Sequence, residues 1–171
     1  MTEPAGPVYL PAAAIAERVG ELAAAIDRDH RGAPLTLVAV LKGAVVLCAD
    51  LSRAVSIPHR IDTIQLTPYR GDGGRIRLTK DLDRPVRGEH VIVVEDVVDT
   101  GLTLLNVVRA LSARGAARVD VCALLDRPHR RLAELDIRYL GYTASERPVV
   151  GYGLGHRERH RSLPDIRFHA A

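Results

Sequence analysis

At 171 residues the chain suits one domain spanning residues 1–171, and with 47% hydrophobic and 26% charged residues it has an ordinary globular composition, which excludes a disordered or fibrous protein. Its 24 Lys and Arg against 21 Asp and Glu leave a net charge of +3. Spread over a whole domain, that excess is too small to mark a nucleic-acid binder.

Apolar residues Ile15, Val19, Leu22 and Ile26 recur at steps of four, three and four, which predicts a helix over 12–29 with one buried face. Pro11 suits its first turn and Gly32 its end. An apolar run at 35–41 predicts a strand, and after Lys42-Gly43 residues 44–56 read as a helix, the first strand–turn–helix unit. Strands are expected at 59–66 and 75–79, separated by a loop containing Pro68, Gly71, Gly73 and Gly74. Residues 90–96 form the strongest strand signal; 97–101 turn into a helix over 102–114, closed by Gly115. Residues 117–125 read as one more strand, and beyond Pro128 only short strand-like pieces remain, at 138–142 and 148–152. Strands that alternate with helices and are apolar on both faces imply an α/β domain with a mainly parallel sheet.

Cys48 and Cys122 lie in apolar stretches without a second Cys or a His at ligand spacing, and read as buried small hydrophobes. No apolar run approaches the roughly 20 residues that cross a bilayer. Residues 1–15, with Glu3 and three prolines and no basic residue, do not read as a secretory leader. A cytoplasmic protein with neither membrane nor nucleic-acid partner is expected.

Ligands of open α/β sheets bind at the carboxyl ends of the strands. Glu95 and Asp96 stand there, and burying two adjacent carboxylates unpaired is costly, so they should face hydroxyls or a hydrated cation. Residues Asp99-Thr-Gly-Leu-Thr103 then lead onto a helix start, whose free amides make an anion site. Thr100 and Thr103 add hydroxyls, and Gly101 permits close approach. A phosphate cradle beside paired acids suits a ribose 5-phosphate, which carries both an anion and a diol.

The stretch Val91-Ile-Val-Val-Glu-Asp-Val-Val-Asp-Thr-Gly-Leu-Thr103 resembles the phosphoribosyl-pyrophosphate motif of type I phosphoribosyltransferases, in the form used by hypoxanthine-guanine phosphoribosyltransferases. The resemblance extends over about 35–168. It implies a mainly parallel twisted sheet flanked by helices, with a small hood built from the terminal segments. It also implies transfer of a 5-phosphoribosyl group from 5-phosphoribosyl 1-pyrophosphate to a 6-oxopurine, hypoxanthine or guanine, giving IMP or GMP and pyrophosphate, with Mg²⁺ as cofactor. Glu95, Asp96, Asp99, Thr100, Gly101, Leu102 and Thr103 would hold the phosphoribosyl group, Glu95 and Asp96 also serving the metal, directly or through water. Asp99 matches the catalytic acid or base at purine N7; helix N-cap is its structural alternative. Val40-Leu-Lys-Gly43 resembles the pyrophosphate loop, whose Leu-Lys peptide is often cis, so Lys42 and Gly43, together with Arg161, would contact pyrophosphate. Tyr69, Arg70 and Gly71 fall where the family has a mobile loop, with Pro68 in place of its usual Ser. Members of the family form homodimers or homotetramers.

The purine site departs from the pattern. Arg127 stands for a usual Lys at the 6-oxo group, Pro148 for a stacking aromatic beside Val149, and Gly155 for a magnesium-side Asp, with Glu158 nearby as another carboxylate. Two alternatives follow: transfer to a different nucleobase, or a non-catalytic regulatory or RNA-binding member of the fold, motivated by the basic run Arg157 to Arg161.

Overall fold

The computed structural model describes residues 5–68 and 76–170. Strands β2 (Leu35–Leu41), β3 (His59–Pro68), β5 (His90–Val98), β6 (Arg118–Asp126) and β7 (Tyr139–Thr143) build the parallel part of a six-stranded sheet, and β4 (Ile76–Lys80) adds antiparallel to its edge. The order is β4-β3-β2-β5-β6-β7. Helices α1 (Ala12–Asp29) and α2 (Val45–Ala54) cover one face and α3 (Leu102–Ala113) the other.

The apolar runs of β2 and β5 follow from this sandwiching. Successive side chains alternate between faces. Leu37 and Ala39 join Ile15, Ile26, Leu47 and Leu51, whereas Val38 and Val40 join Leu104, Val107 and Leu111. Leu37, Ile92 and Leu124 are buried completely. Each such side chain contributes about 1.5–3 kcal/mol relative to exposure.

A second, three-stranded sheet forms the hood: β1 (Val8–Leu10), β9 (Ile166–Phe168) and β8 (Val149–Val150), all antiparallel. The hood agrees with the resemblance, but no strand signal was present at β1 or β9, because three residues are too few to display a period of two. Strand β5 runs to Val98, two residues past the expected 96, and α1 is capped by His30 rather than Gly32.

From β2 the chain moves outward to β3, while β5 flanks β2 on the other side. The crevice between the ends of β2 and β5 is therefore a topological switch point, where open α/β sheets bind ligands. Both segments singled out by sequence, 41–43 and 95–103, emerge at it.

Candidate active site

A cleft of about 230 Å³ opens at this crevice, lined by Glu95, Val98, Asp99, Thr100, Gly101 and Thr103, with Val40, Leu66, Val97 and Leu104 as its apolar wall. Gly101 is the N-cap of α3 at φ +78°, a left-handed conformation that favours glycine. The amides of Leu102, Thr103 and Leu104 in the first turn thus have no intrahelical acceptor. The Thr100 carbonyl is held from behind by the amides of Leu132 and Ala133, at 2.9 and 3.2 Å. Because Gly101 occupies the cap, Asp99 does not, which removes the N-cap alternative for that residue.

Glu95 lines the cleft, and Asp96 turns its carboxylate against Gly43, accepting from the Val97 amide at 2.8 Å. Burial, then the negative charge of Asp96, push the Glu95 carboxyl well above its ordinary value of 4.5. Among the described residues neither acid has a basic ion-pair partner. A carboxyl deprived of cations beside a second carboxylate fits an arriving divalent ion. The described residues hold no group of three or more His, Cys, Asp or Glu side chains able to bind a metal by themselves. They suit a hydrated Mg²⁺ carried largely by substrate oxygens.

Asp99 meets two arginines. Arg130 Nε lies 3.0 Å from its Oδ1, and Arg127 Nη1 lies 4.0 Å from the same atom. Arg127 follows β6, its amide donating to the Val98 carbonyl at 2.9 Å, and its side chain is 14% exposed. The buried Nε of Arg127 has no hydrogen-bond partner within the protein. Asp99 Oδ1 is likewise buried without a hydrogen bond, although both arginines lie near it. Arg130, in a short 3₁₀ turn at Pro128–Arg130, carries no signal in the sequence, where it is one arginine within a basic run.

At the other side of the crevice the Leu41–Lys42 peptide is cis, as the resemblance implied. Lys42 Nζ donates to Glu158 Oε2 at 2.8 Å, and Arg161 Nη2 donates to Glu158 Oε1 at 3.1 Å. Lys42 and then Arg161 hold the Glu158 carboxyl below its ordinary value. Glu158 thus stands as a counter-ion of the two cations. The preceding turn, Gly151 to Leu154, is tied to α2, where the Tyr152 hydroxyl donates to Asp50 Oδ2 at 2.6 Å.

Lys42, Gly43 and Arg161 gather at one edge of the crevice, and Glu95, Asp99, Thr100, Gly101 and Thr103 at its centre. Leu102 is exposed on the first turn of α3. Pro148, also exposed, and buried Val149 lie on the hood, with no hydrogen bond or ion pair joining them to Arg127. Tyr69, Arg70 and Gly71 fall outside the described residues.

A family model described as a phosphoribosyl transferase domain matches residues 9–155. The hypoxanthine-guanine phosphoribosyltransferase of Mycobacterium avium is 41% identical over 168 residues, covering 93% of this chain and 83% of that relative. The hypoxanthine phosphoribosyltransferase of Escherichia coli is 36% identical over 165 residues, covering 93% and 92%. Among solved structures, a hypoxanthine-guanine phosphoribosyltransferase from Bacillus anthracis matches with a TM-score of 0.93 at 35% identity, covering 98% of this chain and 99% of that one. The hypoxanthine phosphoribosyltransferase of Trypanosoma cruzi, in complex with the product IMP, matches with a TM-score of 0.92 at 31% identity, covering 99% and 97%.

Proposed function

Because the chain belongs to the phosphoribosyltransferase family, we propose that it is a purine-salvage enzyme converting hypoxanthine or guanine and 5-phosphoribosyl 1-pyrophosphate into IMP or GMP and pyrophosphate. The observation that carries this reading is the crevice itself, where a helix-start amide cradle, a carboxylate pair and a Lys–Arg pair converge at one switch point. A 5-phosphate fits the amides and hydroxyls of Thr100 and Thr103, and the ribose diol fits Glu95 and Asp96. The leaving pyrophosphate fits Lys42 and Arg161.

In the reaction the bond from C1′ to the pyrophosphate oxygen breaks, and a purine nitrogen bonds C1′. The proton displaced from the purine passes to Asp99 at N7. Arg127 directs donors at the 6-oxo oxygen. A guanidinium has no acceptor, so a 6-amino purine would present donors to donors. Bound Mg²⁺ would neutralise charge on the pyrophosphate, with Glu95 and Asp96 as the protein's carboxylates toward it.

We place the enzyme in the cytoplasm, a reading supported by its two free, buried cysteines. Burial pushes the thiols of Cys48 and Cys122 up to about 11 and about 12, which keeps them protonated and inert. No helix among the described residues is long and apolar enough to cross a membrane. A homodimer or homotetramer, the assembly the resemblance implies, is proposed as well; size-exclusion chromatography with light scattering checks it.

The deciding experiment incubates free bases with the donor and magnesium and follows nucleotide and pyrophosphate release. Hypoxanthine and guanine should be consumed and adenine should not. Failure with both 6-oxopurines would overturn the assignment.

A further inference from the structure

The Lys42–Glu158–Arg161 contact contains an anion already seated between the two cations assigned to pyrophosphate. Each carboxylate oxygen serves one cation, at 2.8 and 3.1 Å, as two oxygens of a phosphoryl group would. We propose that Glu158 is a displaceable internal counter-anion of the pyrophosphate pocket, competing with the product for Lys42 and Arg161 and so setting how readily pyrophosphate leaves. The proposal rests on the phosphoribosyltransferase reading of the site.

Three features support it. First, the segment is held in an unusual backbone shape: Arg157, Glu158 and His160 have φ of +47°, +64° and +69°, a left-handed region that non-glycine residues adopt infrequently. Residues held there cluster at ligand clamps and switch regions. Second, Arg161 is fixed independently of Glu158. Its Nη1 donates to the Gly153 carbonyl at 2.7 Å, and its guanidinium lies over Gly155, where an added Cβ would fall 2.9 Å from Nε and Cζ. The cation therefore stays in place when the carboxylate leaves. Third, the latch is solvent-exposed, with side-chain exposures of 58% for Lys42 and 65% for Glu158. Exposed ion pairs are weak, so a multiply charged phosphate can displace this one.

Calorimetric titration with inorganic pyrophosphate, with and without magnesium chloride, tests the proposal on wild type, Glu158→Gln and Glu158→Asp. Glu158→Gln removes the charge at constant shape and should bind pyrophosphate about three- to tenfold more tightly, with pyrophosphate inhibiting turnover correspondingly more strongly. Glu158→Asp, too short to span both cations, should fall between. Unchanged affinity in Glu158→Gln overturns the proposal. So does weaker binding confined to the magnesium series, which would make Glu158 a metal-side carboxylate instead. A wild type that binds no pyrophosphate would remove the reading of the pocket and the proposal together, whereas wild-type binding with no gain in the variant removes only the proposal.

Discussion

Gly43 and Asp96 share one space: a Cβ on Gly43 would sit 1.7 Å from Asp96 Oδ2 and 2.3 Å from its Cγ. The turn after β2 and the end of β5 approach this closely because both leave the sheet at the same crevice. Gly43→Ala must therefore displace the Asp96 carboxylate or the Lys42 turn. We expect its melting temperature to change little, because the contact lies beyond the apolar core, while kcat/KM for the donor falls at least about tenfold, a loss of roughly 1.4 kcal/mol. A variant with unaltered donor kinetics would separate Asp96 from the sugar and pyrophosphate sites.

Asp99 is the carboxylate at the base end of the cleft, flanked by Arg127 and Arg130. Asp99→Asn keeps its size and removes its capacity to accept a proton. Turnover should fall about 10²–10⁴-fold with donor binding retained, measured by single-turnover kinetics and donor titration. Unchanged turnover would remove Asp99 from the chemistry.

Arg127 offers the 6-oxo oxygen a charged donor. Arg127→Ala should raise KM for hypoxanthine about ten- to a hundredfold, the range for losing a charge-assisted hydrogen bond, and move KM for the donor far less. Equal effects on base and donor would mean that the purine lies elsewhere.

Pro148 lies exposed on the hood where the resemblance expects an aromatic ring. Base–aromatic stacking contributes about 1–3 kcal/mol, so Pro148→Phe should lower KM for hypoxanthine by roughly fivefold or more. A steady-state comparison of the two proteins checks this, and a higher KM would refute the stacking geometry.

His30 lies at the opposite pole, 1% exposed, its Nδ1 3.0 Å from His90 Nδ1 and its Nε2 2.9 Å from the Tyr139 hydroxyl. Tyr139 has one proton and donates it to Asp29 at 3.0 Å, so the network assigns the proton to His30 Nε2 and leaves its Nδ1 to accept from His90. Burial above all lowers the His30 pKa from 6.5, with Asp120 opposing and Arg118 and His90 reinforcing the shift. Unfolded His30 takes up a proton near 6.5 and folded His30 only at lower pH, so the unfolded chain binds more protons below that value. Stability should be complete above pH 6.5 and drain away as the pH falls beneath it. Melting temperatures from about pH 8 to about pH 5 should show this, and His30→Gln, although less stable, should lose that dependence.

The strands at 35–41 and 90–96, the three helices and the turn from Asp99 to Thr103 can all be read from the chain, because each is written in consecutive residues: an apolar run, a glycine turn and an amphipathic repeat. The chain points to Arg127 and Asp99 one by one, but that they approach each other, with Arg130 beside Asp99, comes from β5 and β6 running side by side. The Lys42–Glu158 contact joins residues 116 positions apart, and no pattern near either residue announces it. The hood strands β1 and β9 were equally silent. Local propensities and hydrophobic periods act within a few residues, so they specify elements. Which charges end up facing one another is settled when the sheet brings distant loops to one edge and burial leaves them few partners to choose from.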